Sequence, residues 1–370
     1  ALVVANTTFE AGEQITILGR KLAWLATHPA RDQPIAAVSE ISGHANLPVV
    51  GGRPYCIGAL SGTRPTLPGR TSSAHREPAL RHLTAILAVF SVTASAAAAA
   101  SCSEVGVDIA APLPEQRAEE FHTWLCDVAA TVSGVSGRFP LAEVQVTLVP
   151  GGYHSWDPDR AIAFGRVRRS PVTSIDLFAD LDRPIDDFYT DWTAMHEFSH
   201  LLLPRISSRQ RWISEGFASY YQNVLMARAG FYSPDQALQK LTEGLARGAG
   251  SRPDLSPNQA ARAGIGSARM KIYWSGAAIA LLADVELRDR SGGTESLDTV
   301  LGRLQECCLP SQERWSGTRL FRQLDELLDE PLFMPLYRQH ADTAGFPDVG
   351  PALARKQLVA QIFGVRTSPH

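Results

Sequence analysis

The stretch Asp191-Trp-Thr-Ala-Met-His196-Glu197-Phe-Ser-His200-Leu-Leu-Leu203, stopped by Pro204, decides how the rest of the chain is read. Phe188, Trp192, Met195, Ser199 and Leu203 fall near helical spacing, which predicts a helix over 185–203. His196 and His200 are four apart, so on a helix both imidazoles leave one face. That separation suits two ligands of one tetrahedral Zn2+, each nitrogen at ~2.0–2.1 Å. Glu197 lies one step round, where it can reach a water activated by the metal without binding the metal itself.

A catalytic zinc needs a third protein ligand and an open position. Arg205–Gln210 is polar and suited to a turn, and an apolar pattern follows: Trp212-Ile-Ser-Glu-Gly-Phe-Ala-Ser-Tyr-Tyr-Gln-Asn-Val-Leu. A second helix folded antiparallel to the first would bring Glu215 opposite His196 and His200. A carboxylate inside an apolar helix wants a partner, and a metal is a good one. The plainer alternative is a solvated first-turn Glu favoured by the helix dipole.

Upstream, 114–135 has a helical pattern with Phe121, Trp124, Leu125 and Val128 on one side. Val144-Gln-Val-Thr-Leu-Val alternates as a strand does and is closed by Pro150-Gly151-Gly152. Ala161–Phe164 and Thr173–Phe178 are further strands, and no strand signal returns beyond Asp186. The expected class is α+β: a small sheet half over 102–185, then a helical half over 186–370 that carries the zinc site. His154 lies among Gly, Ser, Asp and Pro, as a surface turn does.

The chain has 370 residues, 45% hydrophobic and 20% charged, and can bury a sizeable core. A net charge of −3 gives no reason to expect a nucleic-acid partner, and Arg166, Arg168 and Arg169 read as a solvated face. No apolar run reaches about 18 residues without polar breaks, so no membrane span is expected in the mature chain. Residues 80–101 have a basic start, an apolar stretch from Leu83 to Ala94, then small residues, the layout of a secretory signal peptide; a buried alanine-rich helix is the alternative. The first Met is Met195, and 1–79 is rich in Gly, Pro, Thr and Ser without a sustained period. The expectation is an exported protein, periplasmic or secreted, translated from Leu80, with 1–79 an upstream extension or an unstructured leader. An oxidising compartment permits a Cys102–Cys126 disulfide, with lipid anchoring at Cys102 a minor alternative; Cys307 and Cys308 read as core filling.

His196-Glu-Phe-Ser-His200 followed by Ser214-Glu-Gly-Phe-Ala-Ser-Tyr-Tyr resembles the gluzincin peptidases, which include the aminopeptidase N and glycyl-aminopeptidase families. The likeness continues through Tyr273-Trp-Ser-Gly-Ala-Ala-Ile-Ala-Leu-Leu and Ser296-Leu-Asp-Thr-Val-Leu, and covers roughly 185–345. It implies a thermolysin-like zincin catalytic domain holding one Zn2+ on His196, His200 and Glu215. It also implies Glu197 as general base and Tyr273 as the hydroxyl that stabilises the tetrahedral oxyanion. Three departures stand out. Only 14 residues separate His200 from Glu215, fewer than in aminopeptidase N. Phe164-Gly-Arg-Val-Arg-Arg stands where those families carry a Gly-rich acidic motif for the substrate's amino terminus. The chain is also shorter than those that carry the family's flanking domains. The expected function is therefore an exported zinc metallopeptidase acting on peptides or proteins, as an endopeptidase or with relaxed specificity. The alternatives are an aminopeptidase with an unrecognised amine anchor and a catalytically silent zinc-stabilised binding protein.

Overall fold

The computed structural model describes residues 103–151 and 160–365. The expected leader, the signal peptide, Cys102 with its disulfide, and His154 lie outside the described residues. Among the described residues, no helix is long and apolar enough to cross a membrane.

Four strands form one mixed sheet: β1 (Val105–Ile109), β2 (Val144–Pro150), β3 (Ile162–Arg168) and β4 (Ser174–Ala179), in the order β1-β2-β4-β3. β1, β2 and β4 are parallel; β3 runs antiparallel to β4 and forms an edge, with Gly165 opposite Leu177. The sequence reading does not name β1, although Val105, Val107 and Ile109 alternate with Gly106 and Asp108. Parallel neighbours need a crossover, and α1 (Glu115–Ser136) supplies one between β1 and β2. Its buried Phe121 and Trp124 meet Phe188 edge to face, with ring centroids 4.9 and 5.2 Å away.

The run expected as one helix over 185–203 is broken. It consists of α2 (Ile185–Thr190), α3 (Thr193–Ser199) and a 3-10 turn, His200–Leu202. The cause is Asp191, which is extended (φ −84°, ψ 121°). Its carboxylate accepts the Thr193 N–H at 2.8 Å and the Ile162 N–H at 3.0 Å, so it ties the start of α3 to the sheet edge. Tertiary bonds here outweigh helical propensity.

The helical half follows, built around α4 (Arg211–Arg228) and α7 (Ile265–Ser291). α5 (Pro234–Ala249) and α6 (Pro257–Ala263) lie between them in sequence, and both start with a Ser capping box. α8 (Leu297–Cys308), α9 (Gly317–Asp325), α10 (Phe333–His340), α11 (Gly350–Ala354) and α12 (Lys356–Ile362) complete the described chain. Buried polar bonds lock the core: Tyr220 donates to Asp284 at 2.6 Å, and Asp284 accepts from Arg288 at 3.0 Å and the Leu297 N–H at 2.9 Å.

Two expectations are corrected. Cys307 and Cys308 do not fill the core; they are joined to each other in the last turn of α8, where Cys307 is exposed. The helix ends there, beyond the packed stripe of Leu297, Val300, Leu301 and Leu304. Arg169 is not part of a solvated face. It donates to the carbonyls of His200 and, at 3.2 Å, Leu203, closing the end of the histidine helix. Burial, with Arg205 nearby, lowers its pKa to about 10. Arg166 and Arg168 are solvated and pair with Asp176, at 2.7 and 2.6 Å.

Candidate metal centre

α3 is buried along its whole length because it runs between the sheet edge and α4. Although the helix ends at Ser199, His200 opens the 3-10 turn with near-helical backbone, so its ring stays beside that of His196, centroids 4.9 Å apart. The short link to Glu215 closes through an isolated bridge from Ile206 to Trp315 and a 3-10 turn, Ser208–Gln210, which leads straight into α4. Glu215 Oε2 then lies 3.5 Å from His196 Nε2 and 3.6 Å from His200 Nε2. One ligand atom from each of the three residues falls within 4.8 Å of the others.

The second nitrogen of each imidazole is also engaged. His196 Nδ1 is 2.8 Å from Gln222 Oε1, and His200 Nδ1 is 3.0 Å from Ser214 Oγ. An amide oxygen can only accept, so His196 donates from Nδ1, and a metal held by His196 would take the Nε2 that faces Glu215. Two imidazoles with one carboxylate are a zinc donor set. The residues present fit the ion.

The charges agree with a tightly coupled cluster. Burial alone would lower the His196 pKa, but Glu215 and Glu197 beside it raise it. Burial works against the charge on Glu215 too, yet the two histidines hold its carboxyl far below the usual range. Burial lifts Glu197 above the ordinary carboxylate range, against the pull of His200, His196 and an N–H from Val167. Glu197 lies so close to β3 that a Cβ on Gly165 would be 2.5 Å from its Cγ. Tyr273 stacks on His196 (5.8 Å, 13°). Burial, then Glu215 and Glu197, keep its hydroxyl protonated well above the usual pKa, and it hydrogen-bonds Glu215.

All five residues singled out from the sequence therefore meet in one place. The sequence reading misses Gln222, Ser214 and Gly165. Gln222 had a signal: it is the polar residue seven after Glu215, two turns along the same face of an otherwise apolar helix. A cleft of about 550 Å3 opens on His196, Glu197, Gln222 and Tyr273, with Phe164 and Trp192 on its wall.

The model of the M61 glycyl aminopeptidase family matches residues 204–274, which include Glu215 and Tyr273. Among curated proteins none matches the sequence. Of solved structures, an aminopeptidase N family protein from Idiomarina loihiensis superposes with a TM-score of 0.52 at 14% identity, over 68% of this chain and 46% of that one. An M1 zinc metallopeptidase from Deinococcus radiodurans gives 0.41 at 18% identity, over 65% and 48%. This chain thus spans about half the length of the structures it matches. The matched segment resembles the glycyl aminopeptidases, and the fold, an α+β sheet half followed by a helical half, is similar to that of an aminopeptidase N family protein.

Proposed function

We propose that this chain hydrolyses peptide bonds with one zinc ion, as an endopeptidase or with relaxed specificity. The observation that carries the reading is the meeting of His196, His200 and Glu215, their ligand atoms within 4.8 Å, beside a buried Glu197 at the foot of an open cleft. His196 and His200 would hold the ion through Nε2, and Glu215 through a carboxylate oxygen. Zinc bound there supplies Lewis acidity, bringing the pKa of a water down to about 7 and polarising the substrate carbonyl.

The remaining steps fall to the chain itself. Glu197, held against the edge strand by Gly165 and the Val167 N–H, takes the proton of the attacking water and returns it to the leaving amine. Its raised pKa suits both halves of that task. Tyr273 stays protonated and offers its hydroxyl to the negative charge that develops on the substrate oxygen.

The place of an acidic amine-binding motif is taken by β3, and among the described residues the cleft wall has one carboxylate besides Glu197, the exposed Glu243. This favours internal cleavage. Among the described residues an aminopeptidase would have Glu243 to use, which already accepts from Gln239 at 2.8 Å. Comparing free with N-acetylated peptides separates the two. Export belongs to the same proposal and rests on 80–101; N-terminal sequencing of the secreted protein tests it. Glu197→Gln should keep zinc by elemental analysis and abolish hydrolysis. Retained activity refutes the base assignment, and chelator-sensitive proteolysis by the native chain excludes a silent binding protein.

A further inference from the structure

We propose that the cleft binds a carboxylate of the substrate peptide and that Arg160 receives it; the proposal rests on the peptidase reading above. Arg160 stands just before β3 on the cleft wall. Its guanidinium lies 4.3 Å from the centre of the Trp192 ring, and that ring is 5.8 Å from the ring of His196. One aromatic side chain thus separates the cation from a zinc-site histidine. Nη2 is held by Asp191 (3.2 Å) and Thr193, which fixes the plane of the group. Its Nε is buried without a partner. A buried donor left unpaired in a substrate cleft is costly unless a ligand or water fills it. A planar, preorganised guanidinium is built for an oxygen pair.

The surroundings carry the same sign. Lys240 and Arg247 on α5 and Arg269 on α7 line the same cleft, the first two packed over Tyr232 (5.0 Å) and Trp274 (5.5 Å). Against these four cations the described residues of the wall set Glu197, committed to proton transfer, and Glu243. A cleft lined by one sign of charge concentrates the opposite sign. A peptide can supply a carboxylate from an Asp or Glu side chain near the scissile bond or from a free C-terminus.

The test measures binding and cleavage separately. Zinc-loaded Glu197→Gln protein is titrated calorimetrically with matched peptides. One pair differs as Glu against Gln next to the scissile bond; the other differs as a free against an amidated C-terminus. The carboxylate member of at least one pair should bind about tenfold tighter or better, the gain of a charged hydrogen bond, and the pair that shows it names the source. The gain should shrink with added salt. Arg160→Gln in the same background should bring that ratio to within about twofold of one. Because that change strips Asp191 of a partner, the double variant Arg247→Gln, Arg269→Gln is a second probe and should weaken both the ratio and its salt dependence. Equal affinity within both pairs, or tighter binding of a Lys peptide, overturns the proposal. Failure of the native enzyme to cleave any of the peptides overturns the peptidase reading instead, and leaves the binding result to stand by itself.

Discussion

Gly216 and Gly276 touch backbone to backbone where α4 crosses α7. A Cβ on Gly216 would fall inside contact distance of the Gly276 Cα, and one on Gly276 would strike the Trp212 carbonyl. The crossing leaves no room for a side chain at either glycine, and it positions the site. Glu215 is the neighbour of one glycine, and Tyr273 lies one turn before the other.

Gly276→Ala should therefore destabilise the protein by about 3 kcal/mol, the upper range for an overpacked core, because the neighbour it meets is backbone and cannot rotate away. Urea unfolding measures the loss. The folded fraction should also lose activity as Tyr273 moves from His196; full activity at native stability would show that the crossing has slack.

Gly165→Ala acts on Glu197 alone. The added methyl meets the Glu197 side chain, not backbone, so the carboxylate must swing off β3 and lose its Val167 N–H. We expect kcat to fall by about 100-fold, in line with the loss of one positioned general base, with zinc content unchanged by elemental analysis. A fall in zinc content equal to the fall in rate would contradict this.

Gln222→Leu removes the acceptor that sets the His196 tautomer. Zinc affinity, read by competition with a chromogenic chelator, should drop by about 10–100-fold. Stripping zinc from the native protein should lower its Tm, because the ion binds only the folded state, and returning zinc should restore it. An unchanged Tm would argue against the metal site.

Tyr273→Phe keeps the ring that stacks on His196 and removes the hydroxyl. It should lower kcat by about 100- to 1000-fold, the cost of one oxyanion donor, while KM and zinc content hold. A change confined to KM would move Tyr273 from stabilising the transition state to binding the ground state.

Much of this was legible along the chain. Two histidines one helical turn apart, a carboxylate in the next apolar helix and the sheet-then-helix order are local patterns, and periodicity reports local faces well. The replacement of an acidic motif by Phe164-Gly-Arg-Val-Arg-Arg was also visible as residues. Tyr273 was reached only through the family likeness, since nothing local distinguishes an active-site tyrosine from a packed one.

Tertiary structure decided the rest. It broke the predicted helix at Asp191, whose carboxylate serves Ile162 and Arg160 from 29 and 31 residues away. Arg169 moved from a presumed surface to the end of the histidine helix, 31 residues on, where carbonyls lack partners. Gln222 became the partner of His196, and four scattered cations came to line one cleft. A motif is determined by sequence when its residues share one helix, because the helix's own geometry fixes their spacing. Which nitrogen of His196 faces the metal, how closely α4 meets α7 and what charge the substrate meets depend on contacts between distant segments. Only packing sets those.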